Sequence, residues 1–227
     1  MGQATFPNES EAYREARNEL LDAEEALRAH VEKVAEQRRG LPLGGEVKED
    51  YVFEELGSDG AVTKVRLSEL FAEAQNSLLI YGYMFSPAME KACPLCTSFL
   101  DGLNGSVVHV GQSMSVAVCA RSPIERVEAF GKERGWENLR LISSANNSFQ
   151  FDYLAETDDG SQSPMANVFV RREGKVYHYW GSELLFREFP SGSPRHIDMM
   201  WPLWNVLDLS PEGRGKSWWP ALEYGGS

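Results

Sequence analysis

One stretch constrains this chain more than any other: an apolar run from Ser77 to Met84, rich in Leu, Ile and Tyr, followed closely by Cys93-Pro94-Leu95-Cys96. The run reads as a buried strand, and Cys96 to Leu103 has the composition of an opening helix turn. The two cysteines therefore fall at a strand-to-helix junction. At such a junction the first cysteine sits beside unpaired backbone N–H groups and the positive end of the helix dipole, both of which favour thiolate over thiol. Cys96, one turn deeper, is within reach of a disulfide to Cys93, and Pro94 fixes the backbone at the helix start.

What that pair does depends on where the chain lives. Met1 to Ser10 shows no basic region followed by an apolar core, and no run approaches the roughly 18 apolar residues of a membrane span, so a soluble, cytoplasmic protein is expected. In a reducing compartment a Cys-x-x-Cys pair is either a redox couple or half of a metal site. Zinc asks for about four ligands, and only Cys119 and the scattered His30, His109, His178 and His196 remain, with no second knuckle. No metal is expected. Buried, idle thiols are the structural alternative, because cysteine is among the most buried residue types. A net charge of −12, with no basic cluster beyond Arg38-Arg39 and Arg171-Arg172, argues against nucleic acid as a partner.

With 227 residues, 42% of them hydrophobic, the chain suits one domain of roughly 150 residues with extensions. Residues 8–40 repeat apolar side chains at Ala12, Ala16, Leu20, Ala23, Leu27, Val31 and Val34 without a proline, which predicts one long amphipathic helix capped by Asn8 or Ser10 and ended by Gly40-Leu41-Pro42. Its apolar stripe is expected to be buried on the main domain or on a partner, so a homodimer is possible. Tyr51–Leu56 and Ala61–Leu67 predict a hairpin turned at Ser58-Asp59-Gly60, with Ser68 capping a short helix over Glu69–Ala74. After the Cys-x-x-Cys helix, which Asp101-Gly102 should end, come a strand over Met114–Ala120, a helix over Pro123–Arg134 and a short strand over Leu139–Ser143. This alternation implies a parallel sheet covered by helices and places Cys93 at the carboxyl end of a strand, where such sheets carry their sites. A hairpin around Glu173-Gly174 follows, with Ser163-Pro164 just before it at a bond for which trans is the commoner isomer. The expected layout is an N-terminal helical extension over 1–46, a core domain over 47–190 and a C-terminal helical and aromatic extension over 191–227 packing on it.

The order strand, Cys-x-x-Cys helix, strand, helix, proline and hairpin is that of the thioredoxin fold. More specifically, Cys93-Pro94-Leu95-Cys96-Thr97, Phe99-Leu100-Asp101-Gly102, Arg134-Gly135-Trp136, Ser143-Ser144, Phe149-Gln150-Phe151-Asp152 and Leu207-Asp208-Leu209-Ser210-Pro211-Glu212-Gly213-Arg214-Gly215 resemble the bacterial DUF899 family, a thioredoxin-like group regarded as dithiol-disulfide oxidoreductases. The resemblance implies that Cys93 is the attacking thiol and Cys96 the resolving one, and it matches Pro164, after Ser163, to the cis-proline position of thioredoxins. The implied chemistry is exchange with the disulfide or dithiol of a protein or of a small thiol, with no cofactor. A thiol peroxidase, with Cys93 oxidised to a sulfenic acid and Cys96 or Cys119 resolving it, is an alternative that asks for a nearby cation such as Arg121. A non-catalytic binding or dimerisation module is the other. Asp101 is a candidate proton acceptor for Cys96, and His109 a loop histidine. The tryptophans Trp201, Trp204, Trp218 and Trp219 are core, a groove wall or an interface.

Overall fold

The computed structural model describes residues 5–189, 194–215 and 218–225. The chain forms two compact units, Met1–Pro42 and Leu43–Ser227. The first is built on a single helix, α1 (Glu11–Arg39). The Ser10 hydroxyl accepts from the Tyr13 amide at 3.1 Å, and Gly40 caps the other end, as the start and stop residues predict. None of its residues is buried, and Leu27 and Val31 of the stripe are 62% and 55% exposed.

In the second unit seven strands form one sheet: β1 (Val52–Leu56), β2 (Val62–Arg66), β3 (Ser77–Tyr83), β4 (Ser115–Ala120), β5 (Leu141–Ser143), β6 (Ala166–Arg172) and β7 (Lys175–Gly181), in the order β2-β1-β5-β4-β3-β6-β7. Helix α2 (Pro94–Val110) crosses from β3 to β4, and α3 (Ile124–Arg134) from β4 to β5; α4 (Phe149–Asp152) and α5 (Leu203–Leu207) are short. The sheet is mixed rather than parallel throughout. Only β3, β4 and β5, the strands joined by helical crossovers, run parallel. The β1–β2 and β6–β7 pairs are hairpins, and a tight turn can join only antiparallel neighbours. At the second turn Glu173 and Gly174 take φ of 51° and 77°, the left-handed pair that suits a two-residue hairpin loop.

Strand alternation sorts the core into two layers. Leu79, Tyr81 and Tyr83 of β3, with Val118 and Ala120 of β4, face α2; Leu78, Ile80, Ala117 and Cys119 face the opposite side with Phe53, Phe149 and Phe169. Helix α2 meets its layer through Cys96, Phe99, Leu100, Leu103 and Val107, one stripe at three- and four-residue spacing. That stripe explains why α2 does not end at Asp101-Gly102: Leu103 and Val107 carry the buried face onward, and packing overrides the poor propensity of both residues.

Other departures also have local causes. Ser68 lies inside a single 3-10 turn, Leu67–Leu70, instead of capping a helix; its N–H and hydroxyl both donate to Asp50, at 2.9 and 2.8 Å. The core unit begins before residue 47, because the Gly44 N–H donates to the His178 carbonyl at 3.1 Å and so extends the pairing at the β7 edge. The boundary expected at 190/191 lies outside the described residues. The C-terminal segment is part of the core unit: Trp201 and Trp204 are 6% and 3% exposed, and the Trp201 ring stands 6.5 Å from Phe99 of α2. Trp218 and Trp219 lie edge-on to Trp204 at 6.1 and 5.7 Å. Among the described residues no helix is long and apolar enough to cross a membrane.

Candidate active site

The site is built where β3 ends and α2 begins. Cys93 is the N-cap residue, with extended backbone at φ −62° and ψ 121°, and Pro94 occupies the first helical turn, where a missing N–H costs nothing. Both backbone groups of Cys93 are held. Its N–H donates to the Met84 carbonyl at 3.1 Å, and its carbonyl accepts from the Thr97 amide and the Thr97 hydroxyl, each at 2.9 Å. The Thr97 hydroxyl pairs in turn with the Tyr83 hydroxyl at 2.9 Å, tying the cap to the end of β3.

The two thiols sit in opposite environments. Cys93 is half-buried and Cys96 is 1% exposed. A hydrogen bond from the Cys96 thiol, helped by the amides of Cys96 and Leu95 at the helix start, holds the Cys93 thiol down to about 6, against the opposing effect of partial burial. Burial pushes Cys96 well above the usual thiol range, and the neighbouring Cys93 adds to this. The buried Tyr81 hydroxyl bonds to the Cys96 sulfur and stabilises its charged form. The pair therefore shares one proton, with the negative charge on the outer sulfur.

Cys93 and Cys96 open onto a cavity of about 290 Å³ that is also walled by Tyr81, Pro164, Trp201 and Trp204. A wider hollow of about 800 Å³ on another side of Cys93 carries Lys91, Glu133 and Arg134. Pro164 is held beside the thiols from two directions: the next carbonyl, of Met165, accepts the Gly82 N–H at 2.7 Å, and its own carbonyl bonds to His196 Nε2 at 2.9 Å. The Ser163–Pro164 peptide is trans, as no cis bond occurs among the described residues. Pro164 thus takes a place beside the thiols without the isomer of the thioredoxin position it was matched to. Ser163 directs its N–H to the Ala155 carbonyl at 2.9 Å and does not line the cavity.

The accessory candidates lie elsewhere. Cys119 is on the opposite face of the sheet from Cys96, enclosed with Phe149 and Ile142, and burial pushes its thiol up to about 11, so it is no resolving partner for Cys93. Arg121 forms an ion pair with Glu156 at 3.0 Å and donates to the Ser144 and Asn147 carbonyls, which uses its guanidinium away from the thiols. Asp101 bonds to Arg134 and to the Trp136 indole N–H, the latter at 2.8 Å, and so clamps α2 to α3 rather than serving Cys96. His109 is exposed in the last turn of α2. Among the described residues no group of three His, Cys, Asp or Glu side chains is placed to hold a metal ion.

Three residues of the site were not singled out from sequence. Thr97 follows Cys93 by four residues, a spacing that returns a side chain to the cap, and Tyr81 shares the strand face of Leu79 and Tyr83; both carried a usable signal. His196 reaches Pro164 across 32 residues, and nothing in the local sequence announces it.

A cysteine pair at the N-terminus of a helix that follows β3, one of the three parallel strands, with antiparallel hairpins at the two edges of the sheet, defines a thioredoxin-like α/β protein. The chain belongs to the family described as "Bacterial protein of unknown function (DUF899)", whose sequence profile matches residues 3–224. Among solved structures it is similar to the mitochondrial 2-Cys peroxiredoxin of Plasmodium falciparum, at 14% identity and a TM-score of 0.45, over 60% of this chain and 80% of that one. It is also similar to the peroxidoxin BcpB of Mycobacterium tuberculosis, at 19% identity and a TM-score of 0.45, over 70% and 94%. No curated protein matches.

Proposed function

We propose that the protein is a thiol–disulfide oxidoreductase in which Cys93 attacks and Cys96 resolves. The opposite environments of the two thiols carry this reading: the accessible sulfur is the one that loses its proton near pH 6, and the enclosed sulfur keeps its proton until it is needed. The Cys93 thiolate attacks one sulfur of a disulfide; the new S–S bond forms as the old one breaks, and the departing thiolate takes a proton from solvent. Cys96 then loses its proton and attacks Cys93 Sγ, closing the intramolecular disulfide and releasing the second thiol. The reverse sequence reduces the pair at the expense of a dithiol. The disulfide or dithiol of a protein or small thiol is thus the partner class. A disulfide suits the site better than a peroxide, because amides and the Cys96 thiol hold the thiolate while Arg121 is engaged by Glu156.

The test is a redox titration against dithiothreitol with alkylation of free thiols, repeated across pH, with the modified residues located by mass spectrometry. A reversible Cys93–Cys96 couple is expected. Its potential should fall by about 60 mV per pH unit below pH 6, where reduction takes up two protons. Above pH 6 the slope should halve to about 30 mV, because only Cys96 then binds one. Thiols that stay reduced at every ratio, or a break near pH 8.5, the ordinary thiol value, would refute the assignment.

Tyr81 supplies a second test. Its hydroxyl favours the Cys96 thiolate, so Tyr81→Phe should slow resolution of the mixed disulfide about tenfold, equivalent to losing roughly 1.4 kcal/mol of a hydrogen bond to a charged group. The first attack, by Cys93, should keep its rate and its pH midpoint. Equal slowing of both steps in rapid-quench experiments would mean that Tyr81 only props up the core.

A further inference from the structure

Beside Cys93 the protein offers two unlike surfaces. The wide hollow of about 800 Å³ is rimmed by charge at Lys91, Glu133 and Arg134. The cavity of about 290 Å³ is walled by Leu95, Leu185, Ile197, Trp201, Trp204 and Trp219, and only this one is lined by both cysteines. Of its polar wall residues, Arg195 pairs with Asp198 and His196 with the Pro164 carbonyl, while Asp198 Oδ1 and the Trp204 indole N–H are buried without a hydrogen-bond partner. Burial lowers the pKa of His196, so the imidazole is neutral at pH 7 and brings no charge to the cavity.

We propose that this cavity binds a small disulfide with an apolar body, so that the substrate of the exchange reaction is a low-molecular-weight disulfide rather than a loop of another protein. The inference rests on the exchange reading above. Three features lead to it. The volume corresponds to about ten non-hydrogen atoms, if a water's share of about 30 Å³ is the measure, which accommodates a short dialkyl disulfide and excludes a folded segment. Three indoles and three aliphatic side chains recover the transfer free energy of hydrocarbon. Both cysteines of the couple line the same space, so the substrate sulfur bonded to Cys93 stays in the cavity while Cys96 approaches. The stoichiometry is one disulfide and two protein thiols giving one protein disulfide and two small thiols, with no further oxidant or reductant.

Single-turnover oxidation of the fully reduced protein by dimethyl, diethyl, dipropyl and dibutyl disulfide tests this, each rate being divided by that of free dithiothreitol with the same compound. The ratio should climb about fourfold for each methylene that enters the cavity and level off near the ten heavy atoms of the dibutyl compound. Glutathione disulfide, larger and bearing carboxylates, should fall at least tenfold below dipropyl disulfide on the same scale. Leu185→Glu, which sets a carboxylate in the wall, should flatten the series. A ratio independent of chain length, or faster turnover of insulin than of any dialkyl disulfide, would overturn the proposal while leaving exchange intact. Failure of every disulfide to oxidise Cys93 and Cys96 would instead overturn the exchange reading.

Discussion

Cys93→Ser is expected to lower the rate of disulfide exchange by at least about a thousandfold, because a serine hydroxyl is un-ionised at neutral pH and has no amide-stabilised anion to offer. The same variant should lose rapid alkylation at pH 6, where the native Cys93 is half ionised. Cys96→Ser should behave differently. Its Cys93 still attacks, but nothing releases the product, so mixed disulfides accumulate and survive non-reducing electrophoresis. Cys96→Ala, which leaves no donor at that position, removes the largest influence holding the Cys93 thiol down, so its alkylation midpoint should move above pH 6. Cys119→Ser is the natural control, since that sulfur lies across the sheet in the other layer. Equal trapping by Cys93→Ser and Cys96→Ser would reverse or abolish the assignment of roles.

The asymmetry behind these expectations also affects stability. The pKa of Cys93 is depressed in the folded chain, so the group contributes stability that is present above the ordinary thiol value near 8.5 and is lost as pH falls through about 6. The reduced protein should therefore gain stability between pH 6 and pH 8.5 from this group, relative to the oxidised form, in which Cys93 has no proton to lose. A comparison of urea midpoints for the two redox forms over that range reads the two thiols together, with the Cys93 contribution dominant below the ordinary thiol value, where Cys96 keeps its proton in both the folded and the unfolded chain.

The parts of this site that were legible in the sequence are the local ones. Cys93 at a strand-to-helix junction, Pro94 in the first turn of α2, Ser10 and Gly40 around α1, and the Glu173-Gly174 turn each depend on neighbours within a few residues, where backbone preference and hydrogen bonding decide the conformation. What remained hidden depends on contacts between distant segments. Arg121 follows a strand that ends near the site, yet its direction is set by Glu156 and by carbonyls of Ser144 and Asn147, which no spacing rule connects to it. Asp101 next to glycine reads as a helix end, but Arg134 and Trp136 on a different element make it a bridge. Trp201 and Trp204 could serve a core, a groove or an interface from their composition; their burial against α2 makes them core and cavity wall at once.

Gly82→Ala should be the most damaging one-carbon change near the site. Gly82 is the next-to-last residue of β3, its N–H donates to Met165 at 2.7 Å, and it pairs with Cys119 in the parallel ladder. A Cβ there would stand 2.8 Å from the Ala155 Cβ and 3.3 Å from the Met165 carbonyl oxygen, closer than carbon atoms pack. Neither neighbour can swing aside as a long side chain would, because Ala155 has a single side-chain carbon and the Met165 atom is backbone. The loop that carries Pro164 must move instead. Overpacking of this kind costs about 1–3 kcal/mol, which for a chain of this size corresponds to a drop in Tm of roughly 3–10 °C. Gly82→Val, with two further carbons, should lie beyond that range or fail to fold. The functional trace of the milder variant should be selective: Cys93 remains held by the Cys96 thiol and the amides of α2, so its alkylation midpoint stays near pH 6, whereas exchange slows because Pro164 no longer closes the cavity beside the thiols. An unchanged Tm for Gly82→Ala would show that the 155–165 segment gives way without cost, and would remove the close approach of β3 and that segment as the device that positions Pro164.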